Sequence, residues 1–113
     1  MTFDEYQKLA ERTDLAHKIR DWNNPLNFEK LLGLGGEAGE VMDKFKKILR
    51  DKNGKISKVD REEIIKELGD VLWYLAIISE HLDVRFDEVA EKNIAKLTDR
   101  AKRNLIHGAG DNR

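Results

Sequence analysis

Apolar side chains recur along this chain at three- and four-residue intervals, the period of an α-helix, and not in the alternation of a half-buried strand. Phe3, Tyr6, Leu9, Ala10 and Leu15 keep this spacing, and Thr2 followed three residues later by Glu5 has the form of a capping box, so a first helix is predicted over about 3–20. Asp21 to Pro25 reads as a turn. A second helix is predicted from about Asn27 to Arg50, with Leu31, Leu34, Ala38, Val41, Phe45, Ile48 and Leu49 as its inner face. It should stop at Asp51–Lys55, which is rich in residues that tolerate left-handed backbone. A third helix is predicted from about Asp60 to Leu82, with Asp60 and Glu63 as its start signal, and a fourth from Phe86 to Lys102 with Phe86, Val89, Ala90, Ile94, Leu97 and Ala101 turned inward. The fold class is therefore all-α: one four-helix domain over 1–104 and an irregular tail at 105–113.

One segment breaks the amphipathic pattern. Val71 to Ile78 is apolar for about two turns and so apolar all round the helix, which requires cover on every side. Four helices of one small chain do not supply that cover, so the third helix is expected to pack against a second subunit. No heptad array runs long enough for an extended coiled coil.

Composition narrows the function classes. With 113 residues one domain is expected, and 21 basic against 22 acidic side chains give a net charge of −1, which argues against a nucleic-acid coat or a polybasic membrane module. The absence of cysteine removes thiol nucleophiles, disulfides and cysteine-ligated metals. The N-terminal residues lack the basic and apolar regions of a signal peptide, and the longest apolar run is too short to span a bilayer. A cytoplasmic protein with no membrane or nucleic-acid partner is the expectation.

Candidate chemistry lies in two carboxylate pairs, Glu37 with Glu40 and Glu67 with Asp70. Residues three apart share a helix face and can share a cation, although many such pairs are merely solvated surface. Asp70 directly precedes the apolar run, so partial desolvation of its charge is expected. Glu37 and Glu40 sit among Gly33, Gly35, Gly36 and Gly39, and each glycine costs a helix about 1 kcal/mol relative to alanine. Helical projection places Glu37, Glu40, Lys44 and Lys47 on one side of the second helix, and Glu63, Glu67, Asp70 and Tyr74 on one side of the third. If these faces meet, the carboxylates need cations. An all-oxygen donor set suits Mg²⁺, Mn²⁺ or Ca²⁺, and the lack of Glu-x-x-His counts against a di-iron centre. Lys92, Asn93, Lys96, Arg100 and Arg103 form a basic edge on the fourth helix that would suit a polyphosphate beside such a metal.

The order Gly36-Glu37-Ala38-Gly39-Glu40, a spacer of 26 residues, Glu67-Leu68-Gly69-Asp70-Val71-Leu72-Trp73-Tyr74, then Asn93-x-x-Lys96-Leu97-x-x-Arg100 resembles the MazG-like all-α nucleotide pyrophosphohydrolases over about residues 3–104. The resemblance implies Mg²⁺-dependent hydrolysis of nucleoside triphosphates or their deoxy forms to monophosphate and pyrophosphate, in nucleotide-pool control or house-cleaning. It implies Glu37, Glu40, Glu67 and Asp70 as catalytic metal ligands, with one glutamate free to act on the attacking water and with Mn²⁺ as a substitute ion. Asn93 and Lys96 match substrate-contacting positions, and Arg100, Lys44 and Lys47 are further phosphate contacts. Subunits of the family pair as homodimers or homotetramers. The alternative is a catalytically inactive helical dimer that binds nucleotide or a partner. Trp22 is assigned first to closing the bundle end and second to stacking on a base. Trp73 and Tyr74 are assigned to core or subunit interface, His17, His81 and His107 to ordinary polar surface, and the tail to a flap over a neighbouring site.

Overall fold

The computed structural model describes residues 1–113 and contains four α-helices, α1 (Phe3–Glu11), α2 (Pro25–Lys52), α3 (Lys58–His81) and α4 (Phe86–Lys102), with no strand. Each start has a local cause. The Thr2 hydroxyl accepts from the Glu5 N–H at 3.0 Å, and the Glu5 carboxylate accepts from the Thr2 N–H at 2.7 Å. Asn24 caps α2 ahead of Pro25, whose fixed φ and missing N–H cost nothing in a first turn. Ser57 and Asp60 form the capping box of α3, one turn earlier than the Asp60–Glu63 signal expected. Asn53 and Gly54, both at positive φ, end α2 and reverse the chain into α3.

The first helix is half as long as the spacing of apolar residues predicts, stopping at Glu11 rather than near residue 20. The Thr13 hydroxyl donates to the Ala10 carbonyl at 2.7 Å, and the Asp14 carboxylate turns into the interior to accept from the Ala16 N–H at 3.0 Å. Such local side-chain bonds compete with the helical ladder. Leu15, expected on the inner face, is fully exposed, while Ala16 is buried.

Helix α3 is the axis of the molecule. Helix α2 packs only on α3, α1 packs on α3 and α4, and α4 packs on α1 and α3. The small core joins Ala10, Ala76, Ile77 and Phe86, flanked by Tyr6, Leu72 and Trp73. Buried Gln7 ties this junction together: its amide donates to the Ala76 and Val84 carbonyls at 3.2 and 3.0 Å and accepts from the Phe86 N–H at 3.0 Å. That last bond supplies α4 with the capping contact its Arg85 side chain does not make.

The isolated chain is open. Its radius of gyration is 16.9 Å, against about 13 Å for a compact chain of this length. Leu31, Phe45 and Leu49 of α2 and Val89, Ile94 and Leu97 of α4, all expected to face inward, are exposed. Several exposed apolar residues fall at multiples of seven, Phe28, Met42 and Leu49 and also Leu31 and Phe45 on α2, and Leu68 and Leu75 of α3 with its C-cap Leu82. No helix is long and apolar enough to cross a membrane.

Candidate metal and phosphate site

Packing α2 against α3 brings carboxylate oxygens of Glu37, Glu67 and Asp70 within 4.8 Å of one another. The close approach of the helices is visible at Gly33, where any side chain would overlap the Tyr74 ring. No such contact constrains Gly35, Gly36 or Gly39 within the chain. Glu40 is exposed and stands outside the three-carboxylate group, one helical turn beyond Glu37.

The electrostatics are those of a site short of positive charge. The Glu37 carboxyl is pushed above its ordinary value by partial desolvation first and then by the charges of Asp70, Glu67 and Glu40. The other three predicted ligands thus act on Glu37, although only Glu67 and Asp70 converge with it. Asp70, expected to be partly covered, is exposed. Its charge still reaches Tyr6, whose hydroxyl is raised by burial and then by Asp70. The donor set is all oxygen, partly solvated and open on one side, which fits a hard divalent cation that keeps several waters.

The predicted basic residues divide into two groups. Lys44 lies at the edge of the cluster, its ammonium 3.7 Å from Glu67. Lys47 is turned to Asp43 of its own helix at 2.6 Å, which together with Lys46 holds that carboxyl down at about 2. Both lysines line a cleft with Asp51, Lys52, Asp60 and Glu63 near the α2–α3 turn. The residues of α4 stand apart, since α4 does not touch α2. Asn93 is exposed, and Lys92 and Arg103 pair with Glu88 and Asp99 of the same helix. Lys96 and Arg100 both meet Asp111, at 3.0 and 3.2 Å. Arg100 is buried and also donates to the carbonyl groups of Gly110 and Asp111.

The tail is therefore folded back on its own α4. Arg113 donates to the carbonyls of Leu105, Ile106 and Gly110, while Gly108 and Gly110 take positive φ to close the loop.

Sequence reasoning missed a second set of residues beside the carboxylates. Thr13, Trp73 and Tyr74 share a pocket with Glu37 and Asp70. The Trp73 indole donates to the Thr13 hydroxyl at 2.7 Å, and its ring packs edge-on against Tyr74 at 5.0 Å. Lys30 sits over the Trp73 ring at 5.2 Å and pairs with buried Asp14 at 2.8 Å. His81, expected on the polar surface, is buried between Asp14 and Asn27. It belongs on the inner side because it follows Ala76 and Ile77 by one helical turn, a signal present in the sequence. Trp22 rests 6.2 Å from the His81 ring and closes that end of the bundle.

A family model described as the MazG nucleotide pyrophosphohydrolase domain matches residues 28–105. The chain is 50% identical over 114 residues to the Gene 37 protein of Mycobacterium phage L5, with the whole of both chains covered. No solved structure matches.

Proposed function

Because the chain belongs to the MazG nucleotide pyrophosphohydrolase family, we propose that it hydrolyses nucleoside or deoxynucleoside triphosphates to monophosphate and pyrophosphate in the cytoplasm, with Mg²⁺ as its metal and Mn²⁺ as a substitute. The observation that carries this reading is the convergence of Glu37, Glu67 and Asp70 from two helices, with Lys44 at its edge. These carboxylates would hold the ion, which when bound neutralises phosphate oxygens and lowers the pKa of a coordinated water. Lys44 is placed to meet a phosphate oxygen in exchange for Glu67. Glu40, adjacent to the trio but outside it, is the carboxylate left to accept a proton from the attacking water. One water adds across the α–β anhydride, and the bond to the pyrophosphate oxygen breaks. Lys96 and Arg100 can reach a phosphate only by giving up Asp111.

The working unit is a homodimer or a pair of homodimers. The chain exposes 8255 Å², whereas a compact monomer of 13.1 kDa exposes about 6,400 Å². A second copy seated on the apolar faces of α2 and α3 accounts for that excess.

The test is product analysis on a panel of NTPs and dNTPs with and without Mg²⁺. Monophosphate plus pyrophosphate, formed only with metal, is expected. Diphosphate plus orthophosphate refutes the bond assignment. Metal-dependent nucleotide binding without turnover moves the reading to an inactive nucleotide-binding dimer.

A further inference from the structure

The buried group behind the candidate site has a proton count that its geometry dictates. The Asn27 amide nitrogen faces two carbonyls, Ile19 at 3.0 Å and Asp21 at 2.8 Å. Both of its hydrogens are committed, so its oxygen must face His81 Nδ1, at 2.5 Å. Nδ1 therefore donates. On the other side, His81 Nε2 lies 2.6 Å from Asp14 Oδ2, and the side chains of both residues are fully buried.

Burial opposes the charge of Asp14, but bonds from Lys30, His81 and the Ala16 N–H outweigh it and hold the carboxyl below its ordinary range. Asp14 is thus an acceptor, and Nε2 donates as well. The charged groups facing this ring are Asp14 from the α1–α2 connection and, through it, Lys30 from α2; Asn27 and Trp22 complete the enclosure without charge. A histidine with acceptors on both nitrogens carries both protons.

This ion group is continuous with the rim of the carboxylate pocket. Lys30 reaches from Asp14 to the face of Trp73, Trp73 donates to Thr13, and Thr13 directly precedes Asp14. Thr13 and Trp73 line the pocket that contains Glu37 and Asp70.

We propose that His81 is a doubly protonated positioning residue that, through Asp14 and Lys30, fixes Thr13 and Trp73 at the pocket rim and so sets how tightly nucleotide is held there. The claim about nucleotide rests on the proposed function; the claim about the ring protons does not. Metal affinity is outside its reach, because Glu37, Glu67 and Asp70 make no ion pair with Asp14, Lys30 or His81.

The first measurement is ¹⁵N-histidine NMR of the intact wild-type protein at pH 7. Two protonated ring nitrogens are expected for His81, and a single one overturns the proposal. The second compares His81→Gln, which can donate toward only one of the two partners, with wild type. The expected result is a rise in KM for nucleotide of about tenfold or more, the usual loss when a buried charged hydrogen-bond partner is removed, with kcat little changed and Mn²⁺ affinity of the nucleotide-free protein unchanged by calorimetry. An unchanged KM overturns the positioning role, as does a parallel fall in Mn²⁺ affinity, which would mean general loosening. If His81→Gln does not fold, Lys30→Met takes its place, with KM recovered in Lys30→Arg. If wild type hydrolyses no triphosphate, the proposed function falls, the NMR result still decides the state of His81, and Kd for a non-hydrolysable nucleotide replaces KM.

Discussion

Replacing Leu75 with lysine separates two accounts of the exposed apolar surface. Leu75 is 40% exposed on α3, in line with Leu68 two turns before it and with the C-cap residue Leu82 two turns after it. If the chain works alone, the lysine stem keeps much of the covered leucine surface and its ammonium reaches water on the exposed side. The change then leaves stability within about 0.5 kcal/mol of wild type. If a second copy covers α3, the change acts twice, once in each subunit of a symmetric pair. Burying a whole leucine contributes about 1.5–3 kcal/mol, so the exposed 40% of Leu75 contributes roughly 1 kcal/mol per subunit by the same scale. Two copies give about 2 kcal/mol before counting the cost of enclosing two ammonium groups, so dissociation should strengthen at least 30-fold. The surface excess over a compact monomer is about 1,900 Å² per chain, which is within the range of obligate homodimers. Sedimentation velocity from 0.1 to 100 μM reads the result. Wild type is expected at twice 13.1 kDa or a multiple of that, with Leu75→Lys shifted toward monomer. A wild-type chain that sediments as a monomer across the range, with the variant unchanged in melting temperature, refutes the reasoning.

Other outcomes follow from single features. Glu37→Gln and Asp70→Asn should each lower turnover by two or more orders of magnitude with far-UV circular dichroism unchanged, since each removes a proposed metal ligand and neither is part of the apolar core; near-wild-type rates in both would discard the site. Mn²⁺ should raise the melting temperature of wild type but not of these variants, as read by differential scanning fluorimetry. Gly33→Ala should lower the melting temperature because its methyl meets the Tyr74 ring, whereas Gly36→Ala, with open space around it, should not lower the stability of the single chain. Asp60 is held down to about 2, by Lys52 first and then by the Ser57 backbone and hydroxyl. Its folded-state value is below the unfolded one, so its stabilising effect is present above about pH 4 and is lost as pH falls toward 2. Acid unfolding of Asp60→Asn should lack that part of the transition.

The sequence was legible where structure is local. Four helices follow from the spacing of apolar residues and from Gly, Pro and Asn at the breaks, and α4 has the bounds predicted. The grouping of Glu37, Glu67 and Asp70 was legible as far as three-residue spacing puts a pair on one face; that the two faces meet, and that Glu40 stays outside, is seen only in the fold. What could not be read depends on partners far apart in the chain. Lys30 lies 16 positions from Asp14, Asn27 lies 54 from His81, and Asp14 lies 67 from His81. Without those partners, Asp14 looks like a helix-surface acid, and the helix appears to run on past Glu11. The counterion of Lys96 and Arg100 could not be read for a related reason, because it comes from the tail.

The all-round apolar character of α3 has a physical explanation in three separate demands on one helix. Glu67, Asp70, Trp73 and Tyr74 serve the carboxylate site and its rim. Ala76 and Ile77 form the core with α1 and α4, and His81 continues that side into the ion group. Leu68, Leu75 and Leu82 remain as the outward series. A helix with one buried face would carry a strong apolar-to-polar contrast, and a helix with three working faces cannot. The same division explains why a chain this small can support a site of several like charges. Its carboxylates lie on the two longest helices, whose backbones are fixed by their own hydrogen bonds, and the rim residues adjoin a buried ion group that meets Trp73 through Lys30 and continues from Thr13 into Asp14. Repulsion among Glu37, Glu67 and Asp70 is felt at Glu37, whose carboxyl it helps to raise, and a proton there or a cation between the three relieves it.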